Sequence, residues 1–105
     1  MSGISTHVLD TARGRPAAGV AVSLERRGVD GEWTMVAQAT TDADGRALAL
    51  ASAPEKAVYR LRFRTAGFSP FYPEVVVVFA VEDAGQRYHV PLLLGPFGYT
   101  TYRGS

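Results

Sequence analysis

The chain has 105 residues, the length of one domain at about 100–200 residues each, and a chain of this size buries about 60–70% of its unfolded surface. It has no cysteine, which excludes a disulfide scaffold, a thiolate zinc site and a cysteine nucleophile. Eleven basic residues against ten acidic ones leave a net charge of +1, and 47% of the residues are hydrophobic. This composition argues for a folded core and against disorder, and the scattered arginines form no nucleic-acid patch.

The elements predicted in chain order are short, alternating strands between turn residues. The first runs around Ser5 to Thr11 and ends at Gly14-Arg15-Pro16. Before it, Ser2-Gly3 reads as an unanchored lead-in, with neither the basic nor the apolar region of a secretory signal. Val20 to Glu25 and Trp33 to Gln38 follow, joined by the hairpin signal Asp30-Gly31. Asp42-Ala43-Asp44-Gly45 turns the chain into a strand at Arg46 to Leu50, and Ala53 to Ala57 has room for one helical turn. Tyr59 to Arg64 alternates three apolar residues with Arg60, Arg62 and Arg64, which reads as a solvated face on one side. Val75 to Val81 is continuous and β-branched, as expected of a strand buried on both faces. At seven residues it is the longest apolar run, far short of a membrane span. Arg87 to Leu94 puts Tyr88, Val90, Leu92 and Leu94 on one face and His89, Pro91 and Leu93 with Arg87 on the other. Gly95-Pro96-Phe97-Gly98 leads into a last strand, Tyr99 to Ser105. Eight close-spaced strands predict an all-β sandwich, and the expected setting is a soluble cytoplasmic domain spanning residues 1–105.

Few residues can carry chemistry. His7 and His89 are the only histidines. A lone histidine is ordinarily a surface or satisfied core residue, and it becomes functional through its near-neutral pKa in a cleft. Both fall in the row opposite the core face of their strands. Arg46 after the Asp44-Gly45 turn is either a solvated hairpin residue or a fixed cation for an anion or oxyanion. Two histidines and no cysteine argue against a metal site, which carboxylates would have to complete, and no phosphate loop or carboxylate pair occurs. No cofactor is expected. The last fourteen residues, Leu92 to Ser105, keep aromatic and turn residues to the end, the pattern of a docked segment rather than a fraying one.

Three segments taken together resemble the transthyretin-related 5-hydroxyisourate hydrolase family: Thr6-His7-Val8-Leu9-Asp10-Thr11 with Gly14-Arg15-Pro16-Ala17, Thr41-Asp42-Ala43-Asp44-Gly45-Arg46, and Tyr88-His89-Val90-Pro91-Leu92-Leu93-Leu94 through Tyr102-Arg103-Gly104-Ser105. The resemblance covers nearly the whole chain, and the terminal Tyr-Arg-Gly-Ser is its most specific part. It implies a sandwich of two four-stranded sheets. It also implies a homotetramer with a central channel, with active sites at the dimer–dimer interface. His7, Arg46, His89 and Ser105 match the family's catalytic positions, and Tyr102 joins them as a substrate-binding residue that makes the channel shallow. The hormone-carrier branch has Lys, Glu and Thr at the first three positions. The implied reaction is hydrolysis of 5-hydroxyisourate to 2-oxo-4-hydroxy-4-carboxy-5-ureidoimidazoline. In it His7 takes a proton from water, Ser105 orients or relays, and Arg46 holds oxygens. His89 binds the ring or protonates the leaving nitrogen. At this level the two histidines are interchangeable. A serine nucleophile is not implied, because Ser105 lacks a buried Asp–His pair. The alternatives are a transthyretin-like carrier of small aromatic ligands and a sandwich module of a larger assembly. The family's short helix after the fifth strand is expected to be shortened or absent, because only Ala66 to Tyr72 is available and it contains Gly67 and Pro70.

Overall fold

The structure is a computed structural model and describes residues 3–105. Met1 and Ser2 of the expected lead-in lie outside the described residues. Gly3 is not a lead-in: it opens the first strand and pairs with Arg87.

Nine strands make two sheets among the described residues. They are β1 (Gly3–Asp10), β2 (Arg15–Pro16), β3 (Ala21–Arg27), β4 (Trp33–Thr40), β5 (Arg46–Ala51), β6 (Ala57–Arg64), β7 (Glu74–Val81), β8 (Arg87–Leu94) and β9 (Tyr99–Thr101). One sheet runs β4-β3-β6-β7, and all its pairs are antiparallel. The other runs β5-β1-β8-β9, with the two-residue β2 also on β1. Apart from that short β2, this is the expected sandwich of four strands on four. The β1–β8 pair is parallel, so it needs the long crossover that the other sheet supplies.

The core lies between the sheets. Ile4, Val8, Leu92 and Leu94 face Val22, Leu24, Leu61 and Phe63, all essentially inaccessible to solvent. The buried Thr6 hydroxyl donates to the Val90 carbonyl at 2.6 Å, so burial leaves it satisfied.

The expected turns at Asp30-Gly31 and Asp42–Gly45 form, with Gly31 and Gly45 at positive φ. Residues 66–72 contain no helix: after β6, Ser69 N–H closes a single turn on the Thr65 carbonyl, and the chain returns to β7. Residues 53–56 form bends and irregular chain rather than a helical turn, and Ala57 already belongs to β6.

Three further expectations change. β7 is not buried on both faces. It is an edge strand, with Val75 and Val81 inside and Val76 and Val78 exposed. An unbroken β-branched run fits either position, and strand order decides. The last strand does not reach Ser105: β9 stops at Thr101, and pairing resumes only as a bridge between His89 and Gly104. Pro91 interrupts it, since it has no N–H to give and its carbonyl already accepts the Thr101 hydroxyl at 2.8 Å. The arginine face of β6 is not simply solvated. Arg60 donates to the buried Glu25 at 2.6 Å and lies 4.3 Å above the Trp33 ring, while Arg62 bridges to Glu74 at 3.0 Å. These partners neutralise much of the stripe's charge.

Candidate active site

The outer face of the β5-β1-β8-β9 sheet collects the residues singled out in the sequence. Alternation turns Ile4, Thr6 and Val8 inward and sends Ser5, His7 and Leu9 outward. Register then sets their neighbours. His7 pairs directly with Arg46 on β5. On the other side of β1, Ser5 pairs with His89 and His7 with Pro91. His89 in turn faces Gly104. Arg46 and His89 are therefore two strand spacings apart and offset by two residues along β1, about 12 Å in all, with His7 on the strand between them.

The Asp42–Gly45 turn positions the first side of the site. Asp42 Oδ1 accepts the backbone N–H groups of Asp44 at 2.9 Å and Arg46 at 3.0 Å. Those bonds, the Arg46 bond first, hold the Asp42 carboxyl below its ordinary pKa. Gly45 is at φ +76° and lies so close to the Val8 carbonyl that a Cβ would overlap it. The turn thereby aims the Asp44 carbonyl at His7, whose Nε2 lies 2.8 Å from it. A carbonyl only accepts, so His7 Nε2 carries hydrogen and the lone pair of the neutral ring is on Nδ1. Arg46 has only a loose ion pair with Asp44, at 3.7 Å and well exposed, which leaves its guanidinium open to an anion.

His89 is half-buried, and its Nδ1 lies 2.8 Å from Ser5 Oγ. Burial pushes its pKa below the ordinary histidine value, and the charges of His7, Arg87 and Arg46 push the same way. His89 is therefore neutral at pH 7.

The end of the chain is strapped to β8. The Arg103 guanidinium lies 4.4 Å from the Tyr88 ring centroid and donates to Gln86 Oε1 at 2.8 Å and to the Arg87 carbonyl at 3.1 Å. Gly104 N–H donates to the His89 carbonyl at 2.7 Å. A Cβ on Gly104 would meet His89 Cδ2 at 2.8 Å, so only glycine lets the backbone pass this close to the ring.

His7, Arg46 and His89 thus share one face. Ser105 adjoins them through Gly104. Its side chain is exposed beside Arg87 and Gln86, and no hydrogen bond from another described residue holds its hydroxyl. Tyr102 is half-exposed and falls by alternation opposite Pro91. Sequence reading missed Ser5 and Gly104. Ser5 stands two residues before His7 and so in the same row, which is a legible signal. Its meeting with His89 depends on the β1–β8 pairing, which no local pattern encodes.

An apolar cleft of about 200 Å³ lies at the open edge between β7 and β9, and Tyr102 contributes to its lining. Val77, Phe79, Tyr88 and Val90 line it, and neither histidine reaches it. Among the described residues no cluster of three His, Cys, Asp or Glu side chains can hold a metal, and no helix is long and apolar enough to cross a membrane.

Residues 4–104 match the HIUase/Transthyretin family. A 5-hydroxyisourate hydrolase of Caulobacter vibrioides is 49% identical over an alignment of 118 positions that covers all of both chains. The solved 5-hydroxyisourate hydrolase of Klebsiella pneumoniae superimposes with a TM-score of 0.85 at 34% identity over the full length of both. Sea bream transthyretin in complex with thyroxine superimposes with a TM-score of 0.90 at 34% identity, over 96% of this chain and 93% of that one. Fold similarity alone does not separate hydrolase from carrier, but sequence and structure agree that this chain belongs to the HIUase/transthyretin family.

Proposed function

We propose that the chain hydrolyses 5-hydroxyisourate in urate degradation. The observation that carries this reading is the outer sheet face, where His7 lies between the loosely paired Arg46 and His89, the two imidazoles have different hydrogen-bond anchors, and the three residues span about 12 Å, a reach suited to a single small purine. The full-length identity to the Caulobacter hydrolase supports the same substrate.

The reaction adds water across a ring amide. Water's oxygen bonds to the carbonyl carbon, the ring C–N bond breaks, and the departing nitrogen takes a proton. The product is 2-oxo-4-hydroxy-4-carboxy-5-ureidoimidazoline. His7 Nδ1 is the base for the water, Arg46 stabilises the oxygen on which charge grows, and His89 contacts the ring. Ser105 and Tyr102 close the substrate's other side. The site is completed in a homotetramer, in which a second subunit covers this outer face at the dimer–dimer contact. Its half-exposed apolar residues, such as Leu48 and Tyr102, favour such cover.

The test is to add the protein to urate undergoing oxidation by urate oxidase and follow the ultraviolet decay of 5-hydroxyisourate. Acceleration over the spontaneous decay is expected, and its absence with folded protein refutes the reading. Light scattering at micromolar concentration tests the tetramer, which a fully active monomer would exclude. A carrier is the second reading, resting on the likeness to the thyroxine-bound sea bream protein. Thyroxine binding without hydrolysis would establish it.

A further inference from the structure

We propose that Ser5 is a positioning residue whose hydroxyl holds the His89 imidazole as the Nε2–H tautomer, so that His89 meets the substrate as a neutral hydrogen-bond donor and not as a base. The proposal rests on the hydrolase reading and assigns the two histidines different tasks within it.

Ser5 Oγ lies 2.8 Å from His89 Nδ1. Ser5 is only 7% exposed, so water offers its hydroxyl little alternative. Among the described residues, Nδ1 is the one partner recorded for that oxygen. If Nδ1 carried the hydrogen and donated it, the hydroxyl hydrogen of Ser5 would have no acceptor. An unmade buried donor costs more than an oxygen with a spare lone pair. The O–H therefore donates and Nδ1 accepts, and a neutral imidazole that accepts at Nδ1 carries its hydrogen on Nε2. Burial disfavours a second proton on the ring, and the titratable and charged groups around it come from three strands, His7 on β1, Arg46 on β5 and Arg87 on β8, none of them an anion that would favour one. Cδ2, the ring atom bonded to Nε2, is the one lying against Gly104. The donor edge thus faces the strapped chain end, away from Ser5.

His7 is anchored the opposite way. Its Nε2–H donates to the Asp44 carbonyl, which leaves Nδ1 basic. One base then closes the proton inventory. His7 Nδ1 takes the proton from water, holds it as imidazolium and returns it to the leaving ring nitrogen. His89 gains and loses none. Its Nε2–H and the Arg46 guanidinium hold the oxygen that becomes negative, and a donor fixed beforehand spends no reorganisation at that moment.

The experiment is the imidazole nitrogen NMR spectrum of ¹⁵N-histidine-labelled protein without substrate near pH 7.5, with the two rings assigned by comparison with His7→Gln. His89 is expected as Nε2–H with Nδ1 accepting, both in the wild type and in Ser5→Thr. Ser5→Ala is expected to drift towards the tautomer mixture of a free imidazole. In turnover, Ser5→Ala should lose about tenfold in kcat with KM within about twofold, and Ser5→Thr should recover most of it. A wild-type His89 found as Nδ1–H overturns the proposal, and so does a folded Ser5→Ala protein with an unchanged His89 spectrum. Should Ser5→Ala fail to fold, the wild-type spectrum alone decides. The spectrum needs no turnover, so an inactive wild type would refute the hydrolase reading separately from the tautomer.

Discussion

Gly104→Ala adds one methyl group at the tightest point of the site. Gly104 is not at positive φ, so alanine can adopt its backbone conformation. The new Cβ would stand 2.8 Å from His89 Cδ2, with His89 Cγ and the His89 carbonyl both at 3.4 Å. Carbon atoms rest at about 3.5–4.0 Å, so ring and strand must part by about 0.7 Å or more. The ring is tethered to Ser5 through Nδ1, and the strand is tethered through Gly104 N–H to the His89 carbonyl. Neither moves without loosening a bond that places Nε2. Misplacing a catalytic group by about 1 Å costs on the order of a hundredfold, so the shift here should lower kcat/KM by about ten- to a hundredfold. The methyl stays out of the core between the sheets, so the melting temperature should hardly change. The assay is the initial rate of 5-hydroxyisourate decay, with thermal melting measured alongside. A Gly104→Ala protein that turns over at the wild-type rate would refute the reasoning, because it would show that the approach of Gly104 to His89 sets nothing about the chemistry.

Replacing His7, Arg46 or His89 singly by alanine should lower turnover by about a hundredfold or more while leaving circular dichroism and melting close to wild type. Ser105→Ala should reduce the rate without changing the melting curve; an unchanged rate would remove the Ser105 hydroxyl from the site. The depressed pKa of His89 makes stability depend on pH. As pH falls through about 6.5 the unfolded chain takes up the proton first, so stability should decline below that point and level off under the folded-state pKa. Melts of wild type and His89→Asn between pH 5 and 7.5 should differ in this slope. Leu61→Ala, at a fully buried core position, should cost about 2–5 kcal/mol in denaturant unfolding, and a loss below 1 kcal/mol would mean the core repacks around it.

Local patterns carried most of the fold. The Tyr59–Arg64 alternation gives β6 its inner and outer faces, and Asp42-Ala43-Asp44-Gly45 specifies a turn that only glycine can close at its last position. What failed locally depended on partners far along the chain. The Val75–Val81 run is compatible with a central or an edge strand, and only the order of the finished sheet puts it at the edge. The stop at Thr101 comes from Pro91 on the neighbouring strand, and the shielding of Arg60 comes from Glu25 and Trp33 on two others. The candidate site divides the same way. His7, Arg46 and His89 are visible as residue types in outward rows, but their common face follows from β1 pairing with β5 on one side and β8 on the other. The tautomer of His89 follows from a serine 84 positions away.

The parallel β1–β8 pair also orders events during synthesis. β3–β4 and β6–β7 are hairpins and β3 joins β6 across about 30–40 residues as they emerge, but the second edge of β1 waits for a strand made some eighty residues later. Closing so long a loop adds only a logarithmic entropy cost at equilibrium, yet it delays the encounter and leaves the β1 edge bare in the meantime. A nascent chain therefore holds a nearly complete first sheet beside a β1 strand that is paired with β2 and β5 on one edge only and already carries Ser5 and His7. The chemical machinery is the last part of the molecule to come into existence, and until β8 arrives the strand meant to hold it is the one most open to pairing with the wrong neighbour.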